Sequence, residues 1–448
     1  MNAFSKPSLP VRRGLIGLAG IMALLLAWFF WIVLGPGPMS FAGGSRVTLA
    51  NYHGVDPTGV PSELAHASLL KKGEYLTRAA DCGACHTARG GVPFAGGLGF
   101  VLPFGTIYSA NITPDKDTGI GTWSDASFLN ALHKGIDDEG VHLYPAMPYA
   151  SYTSMTDADA LAIKAYLFSL KPIHAVVRDN TLVFPFNQRR LMGVWSVLFN
   201  SDKRFEPNAT RSPQWNRGAY LAESLEHCSE CHTPRTIFQS LNNRRKFAGA
   251  TQAGWRAYNI TSDANSGVGA WSDADLAKYL SSGNAAGHGS AGGPMGEAVD
   301  KSLSYLVPSD IAAIVTYLRS VPAISTSDLP APKATPAPAS YKEGVVADYD
   351  PRGKKVFEGA CASCHGWTGV SPVTHYATLT GVRAVNDPTA INVAETVING
   401  TDYMPAFGQG YSNDEIAAVA NYVTARFGVS PSRITGKDVA ALRKQASN

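Results

Sequence analysis

All six cysteines of this 448-residue chain fall in three copies of one five-residue pattern: Cys82, Cys85, His86; Cys228, Cys231, His232; and Cys361, Cys364, His365. Cys-x-x-Cys-His is the attachment pattern of a c-type haem, in which the two thiols form thioethers to the porphyrin and the histidine takes an axial iron position. One turn of helix presents both sulfurs to one edge of the macrocycle and carries the adjacent imidazole beneath the metal. A closed zinc site wants four ligands, usually two such cysteine pairs in one domain, and each copy here has one pair. A disulfide suits an exported chain but leaves the repeated histidine unexplained. A thioredoxin-like dithiol would sit between a strand and a helix, and no strand pattern precedes these copies. The preferred reading is three covalently bound haem c groups.

Iron in such a site needs a sixth ligand, and each copy has a methionine downstream beside a proline: Met147 in "LYPAMPYASY", Met295 in "AGGPMGEAV" and Met404 in "TDYMPAFGQ". Glycine-rich or turn-forming surroundings suit a loop folded over the distal face. The competing view is that each methionine is flexible core filler. Met155, His142 and His133 compete in the first copy, His288 in the second and His375 in the third, while His227 is expected on the solvent side. Trp123 and Trp271 read as core residues, and Tyr403 as core or haem-edge packing. Histidine with methionine closes the coordination sphere and raises the potential, so the chemistry is one-electron exchange rather than oxygen binding. No dinucleotide glycine fingerprint is present, no cysteine remains for iron–sulfur, and no catalytic residue is assigned.

The first 35 residues carry an address. Lys6, Arg12 and Arg13 precede an uncharged apolar run over residues 14–35, long enough to cross a bilayer core of about 30 Å. The basic flank places residues 1–13 in the cytoplasm and the rest outside. Ser40-Phe41-Ala42 would serve as a signal cleavage site, but the run exceeds a signal h-region, and Trp28 and Trp31 near its outer end favour a retained anchor. The expected location is the periplasmic face of a bacterial inner membrane. A net charge of +3 and the lack of a dense Lys/Arg tract exclude a nucleic-acid partner.

Repeats divide the exported body. "KKGEYLTRAADCGACHT" is echoed by "NRGAYLAESLEHCSECHT" and more loosely by "PRGKKVFEGACASCHG"; "NITPDKDTGIGTWSD" is echoed by "NITSDANSGVGAWSD". Each copy closes on an amphipathic helix expected to be capped by Asp157, Asp310 or Asn413. The predicted fold class is all-α, three tandem class I cytochrome c domains after an N-terminal transmembrane helix. The domains span 66–175, 213–324 and 347–430, with a Pro/Ala linker at 325–346 expected to be extended and a tail at 431–448. Residues 176–212, including "VFPFNQRRLMGVWSVLF", read as an interdomain packing segment, with contact to a partner or the membrane surface as the alternative.

The three modules, the paired "NIT…WSD" segments, the "GPM" loop and "FPFNQRRLMGVW" resemble the triple-haem cytochrome c subunit of the membrane-bound periplasmic dehydrogenases of acetic acid and related bacteria, from about Leu69 to Gly428. The resemblance implies axial pairs His86 and Met147, His232 and Met295, and His365 and Met404. It implies a catalytic partner that oxidises an alcohol, aldehyde or sugar acid and passes electrons through the haems to ubiquinone in the membrane. An apparent anchor and a tail too short for extra membrane-lying helices tilt the expected partner toward a molybdopterin aldehyde dehydrogenase, with a small iron–sulfur subunit as a further candidate. The alternatives are a quinoprotein alcohol dehydrogenase or a flavin-dependent sugar or sugar-acid dehydrogenase. A stand-alone multihaem carrier or a terminal-oxidase cytochrome subunit would use the same motifs.

Overall fold

The computed structural model describes residues 9–252, 254–334, 336, 350–401 and 403–446. Half of the predicted linker, and the start of the domain placed at 347, lie outside these. Helix α1 (Leu9–Val33) is, among the described residues, the one helix long and apolar enough to cross a membrane, with mean hydropathy 2.4 over Leu15–Val33. It is followed by a strap over 36–68 and by three helical units.

The first unit comprises α2 (Leu69–Ala79), α3 (Cys82–Cys85), strands β1 (Gly99–Leu102) and β2 (Gly105–Tyr108), α4 (Asp125–Lys134), α5 (Tyr149–Tyr152) and α6 (Asp157–Ser169). Helix α7 (Arg190–Phe199) leads to the second, made of α8 (Pro213–Tyr220), α9 (Ser229–His232), β3 (Ala250–Gln252), β4 (Trp255–Ala257), α10 (Asp273–Ser282), β5 (Asn284–Ala285), β6 (Gly289–Ser290), α11 (Gly293–Lys301) and α12 (Pro308–Arg319). The third holds α13 (Pro351–Val356), α14 (Ala362–His365), α15 (Ile391–Asn399), α16 (Asn413–Phe427) and α17 (Gly436–Ala446). The structure is mostly helical, but the all-α expectation needs correcting for three antiparallel hairpins. In "GFVLPFGTIY" the β-branched and aromatic residues favour strands, and Gly105 at φ 130° turns the chain between them.

One helix crossing occurs three times. A Cβ at Gly73 would collide with the carbonyl oxygen of Ala162, one at Gly218 with that of Ala313, and one at Gly353 with that of Ala418. In each case the Cβ of a tyrosine on the same closing helix, Tyr166, Tyr317 or Tyr422, lies 2.9, 2.9 or 3.0 Å from that position. The glycine lets the motif-bearing helix touch the closing helix backbone to backbone, which seats the following Cys-x-x-Cys-His turn at a fixed height. Gly218→Ala is expected to cost about 1–3 kcal/mol through overpacking, whereas Gly359→Ala, at a position with nothing within 4 Å, should be near neutral. Equal thermal denaturation midpoints for the two holoproteins would sink this account.

The N-caps of the closing helices lie one to three residues before the predicted ones. Thr156 and Ser412 are the side-chain N-caps of α6 and α16, and Val307 precedes α12 without a side-chain cap. Asp159 and Asp310 point instead at the neighbouring unit. Tyr75 donates to Asp310 Oδ2 at 2.7 Å, and reciprocally Tyr220 donates to Asp159 Oδ2 at 2.5 Å. Arg217 adds two bonds to Asp310 at 2.8 and 2.7 Å and two to the strap carbonyls of Pro57 and Gly59. The first two units share one apolar core, and the third has its own.

The third unit meets the second through Arg256, which pairs with the fully buried Asp387 at 3.0 Å and with Asp328 at 2.7 Å. Tyr258 donates to the same Asp387. The start of the predicted linker is not a free spacer: Leu329 is buried, the Lys333 amide donates to the Asn386 side-chain oxygen, and the Lys333 carbonyl accepts from the Gly381 amide. The tail packs back on the third unit. It forms α17, whose Val439 and Leu442 are buried on the third core, with Arg443 donating to the carbonyls of Gly408 and Tyr411.

Candidate haem-binding sites

Each Cys-x-x-Cys-His copy sits on a short helical turn directly after the crossing helix. In the first unit the chain reaches it through Asp81 in the left-handed region (φ 51°). In the other two a single π-turn intervenes, over Leu221–Leu225 and Phe357–Cys361, the kind of local widening that recurs at functional sites.

The three histidines share one geometry. His86 Nδ1 lies 2.7 Å from the carbonyl oxygen of Ala110, His232 Nδ1 2.6 Å from that of Tyr258, and His365 Nδ1 2.6 Å from that of Ala377. A carbonyl oxygen only accepts, so Nδ1 carries the proton and Nε2 keeps its lone pair. Burial lowers the basicity of all three rings, with the carbonyl bond pulling the other way. The result is a neutral imidazole, fixed in tautomer and orientation, which is the form that ligates metal.

These carbonyls were not identified from sequence, although two carry a signal. Ala110 and Tyr258 immediately precede the Asn of the repeated "NIT" segments. Asn111 accepts from the backbone and hydroxyl of Thr113 and donates to Thr118 and to the Ile173 carbonyl. Asn259 repeats the network with Thr261, Ser266 and the Ile324 carbonyl. The motif pins the carbonyl that pins the histidine. The "WSD" that follows supplies Ser124 and Ser272, the N-caps of α4 and α10.

All six thiols are free. Burial, with Asp81 alongside, pushes Cys82 up to about 12. Burial pushes Cys231 and Cys361 up to about 11 and also raises Cys85 and Cys228. Buried thiols of this kind are slow in disulfide exchange. Among the described residues, the one group of His, Cys, Asp and Glu side chains close enough to share an ion is Asp115, Asp117 and His174, with no cysteine in it. The donor set therefore fits thioether attachment to a macrocycle, with Nε2 toward iron.

Cys82, Cys228, Met147 and Met295 are half-buried against the shared core of the first two units, and Cys361 and Met404 against the third core. Met147 follows a turn closed by its own amide to the Tyr144 carbonyl at 3.0 Å. Met404 closes a two-bond bridge with Thr401. Met295 departs from the expected loop: it lies in the first turn of α11, which Pro294 can begin because a first-turn residue needs no amide donor.

The competing side chains are engaged elsewhere. Met155 is fully buried in the core. His133 is buried beneath α6, where desolvation and nearby Arg204 push it down to about 4. His142 faces α7, where a Cβ on Gly193 would meet its Nε2. His288 stacks on Trp271 at 3.8 Å, and His375 lies against Tyr376 at 3.9 Å. His227 is not on the solvent side: it is half-buried, edge-on to Tyr152 at 5.3 Å, because a positive φ of 35° turns it inward. Trp123 and Trp271 pack partly buried on the core, and Tyr403 is exposed.

Residues 70–171 match the cytochrome c family model, and residues 350–423 match that of cytochrome c oxidase, cbb3-type, subunit III. The chain is 39% identical to the fructose dehydrogenase cytochrome subunit of Gluconobacter japonicus, over 86% of this chain and 85% of that protein. It is 37% identical to the gluconate 2-dehydrogenase cytochrome c subunit of Pantoea cypripedii, over 85% and 90% of the two. The chain belongs to the cytochrome c subunits of membrane-bound dehydrogenases. A further relative, the cytochrome c subunit of the quinone alcohol dehydrogenase of Gluconobacter oxydans, is 32% identical over 85% of this chain and 83% of that protein. Covalent haem c is thus the cofactor of this cytochrome subunit, and electron transport its chemistry.

One buried carboxylate of the cytochrome subunit makes its stability depend on pH. Glu395, on α15, is 1% exposed, and burial pushes it up to about 7 from 4.5, against the 2.6 Å bond from Asn399 and the pull of Arg89. The folded chain holds this proton more tightly than the unfolded one, so the stabilisation is full below pH 4.5 and is lost as pH rises through 7. Glu395→Gln is expected to flatten that slope, a difference of about 3 kcal/mol at pH 8 from roughly 1.4 kcal/mol per unit. Denaturant unfolding at the two ends of this range checks it, and parallel slopes for both proteins would contradict it.

Proposed function

We propose that the chain carries three covalent haems in cytochrome c modules at 66–175, 213–324 and 347–430, with axial pairs His86 and Met147, His232 and Met295, and His365 and Met404. In this reading α1 is a retained anchor, and the subunit relays electrons from a sugar or sugar-acid dehydrogenase to ubiquinone. The single observation that carries it is the threefold recurrence of a histidine with Nδ1 tied to a backbone carbonyl, beside two free thiols, with a methionine against the same core. Haem bound there supplies one-electron exchange at iron. The chain's residues fix each imidazole, close the distal face with a thioether, exclude water and hold the modules together through Asp310, Asp159 and Asp387.

The choice of partner rests on whole-length likeness: the fructose and gluconate dehydrogenase subunits are covered over 85% and 90% of their lengths. This favours the flavin-dependent sugar and sugar-acid type over the molybdopterin aldehyde type expected from sequence. The likeness to a cbb3-type oxidase subunit covers only residues 350–423 and gives a terminal-oxidase role little support.

The test is extraction of the native membrane complex. The expected preparation contains three haems per chain, a catalytic dehydrogenase chain, and sugar- or sugar-acid-dependent reduction of a ubiquinone analogue. Two haems per chain would remove one axial pair. A preparation without a dehydrogenase and without quinone reduction by any such substrate would overturn the relay.

A further inference from the structure

Helix α7 has two faces of opposite destiny. Inward, Trp195 donates to the Phe238 carbonyl at 2.8 Å and stands edge-on to Tyr149 at 5.9 Å, while Phe199 packs between Trp195 and Phe238 at 5.4 and 5.9 Å. Outward, Leu191, Val194 and Val197 recur every three residues on one face and are 48%, 60% and 84% exposed. The preceding loop adds exposed Phe184 and Phe186, the latter stacked on Phe104 at 4.0 Å, and Ile237 lies exposed beside Phe238. A continuous apolar surface of this kind marks an interaction site, and nothing in the electron-transfer chemistry uses it.

The neighbour of this surface decides what covers it. Phe238, which holds α7, also meets Phe29 of α1 edge-on at 5.8 Å. Arg244 donates to the Trp31 carbonyl at 3.0 Å, with its guanidinium 4.3 Å from the Trp31 ring. Helix α7 is thereby fixed at the level of the outer end of α1, where aromatic residues sit among headgroups. Exposed Arg189 and Arg190 at the start of α7 and Arg244 at Trp31 flank the patch, the arrangement of an in-plane amphipathic helix on an anionic lipid surface.

We infer that α7 and the loop at 183–186 lie in the outer interface of the membrane that α1 crosses, with Leu191, Val194 and Val197 among the acyl chains. This second attachment rests on α1 being a retained anchor. It holds the first two units against the lipid surface at a second point besides α1.

Nitroxide labels on full-length holoprotein in phosphatidylethanolamine/phosphatidylglycerol nanodiscs test this, at Val197→Cys, at Leu25→Cys on α1 and at exposed Val373→Cys on the third unit. Labels at 25 and 197 are expected to relax several-fold more readily with oxygen than with a soluble nickel chelate, and the label at 373 to show the reverse. A lipid-like label at 25 with a water-like label at 197 overturns the inference while sparing the anchor. A label at 197 shielded from both reagents in the purified dehydrogenase complex also overturns it, by making the patch a protein interface. A water-like label at 25 removes the anchor, and this inference with it.

Discussion

Replacing Met404 by alanine is expected to make the third haem high-spin and to lower its reduction potential by on the order of 100 mV, within the roughly 0.8 V that axial ligation spans. The fold should survive, because Met404 is only half-buried and its backbone bridge to Thr401 needs no side chain of its own. Met147→Ala and Met295→Ala should act alike on the first two haems. Met295 belongs to a helix rather than a turn, so its loss leaves a more rigid distal wall. Visible spectra and redox titration of each holoprotein check this, and an unchanged spectrum and potential for Met404→Ala would refute its ligand role.

The largest stability effect is expected at the junction of the first two units. Asp310→Ala strands the Arg217 guanidinium, 12% exposed in its side chain, and leaves the Tyr75 hydroxyl without its acceptor. Removing one partner of a buried ion pair costs about 3–5 kcal/mol. The reciprocal Asp159→Ala loses the Tyr220 and Gly59 bonds but strands no cation, so about 1–3 kcal/mol is expected. Thermal denaturation of the holoproteins orders the two, and a smaller loss for Asp310→Ala than for Asp159→Ala would contradict the assignment of the dominant contact.

The parts legible in the sequence were those with a local code. Cys-x-x-Cys-His and the repeated closing helices each announce themselves within a few residues. Acidic residues at the starts of α6, α12 and α16 show where those helices lie but not which residue caps them: the hydroxyls of Thr156 and Ser412, one residue earlier, cap α6 and α16, and Asp310 is drawn off by Tyr75 and Arg217, distant in sequence. The histidine locks are less legible because Ala110, Tyr258 and Ala377 act through backbone carbonyls: for the first two the signal lies in the Asn that follows, and the third has none. Tertiary packing also shapes the tail, where Val439 and Leu442 dock a short segment as a helix on the third core. His227 was misplaced because helical periodicity assumes helical dihedrals, and its φ is positive.

The crossed bonds from Tyr75 to Asp310 and from Tyr220 to Asp159 have a consequence for ancestry. A contact in which the same two positions of two copies meet each other is isologous, the form of a closed two-fold dimer. Inside one chain it is what a single-module ancestor would present as a homodimer, preserved after duplication by a tether that supplies its partner at high effective concentration. The third module stands outside this symmetry. It has exposed Lys355 where the others have tyrosine, and Glu415 spends its carboxylate on a capping box with Ser412. Selection could therefore retune the third unit, or reassign its neighbour, without breaking the pair.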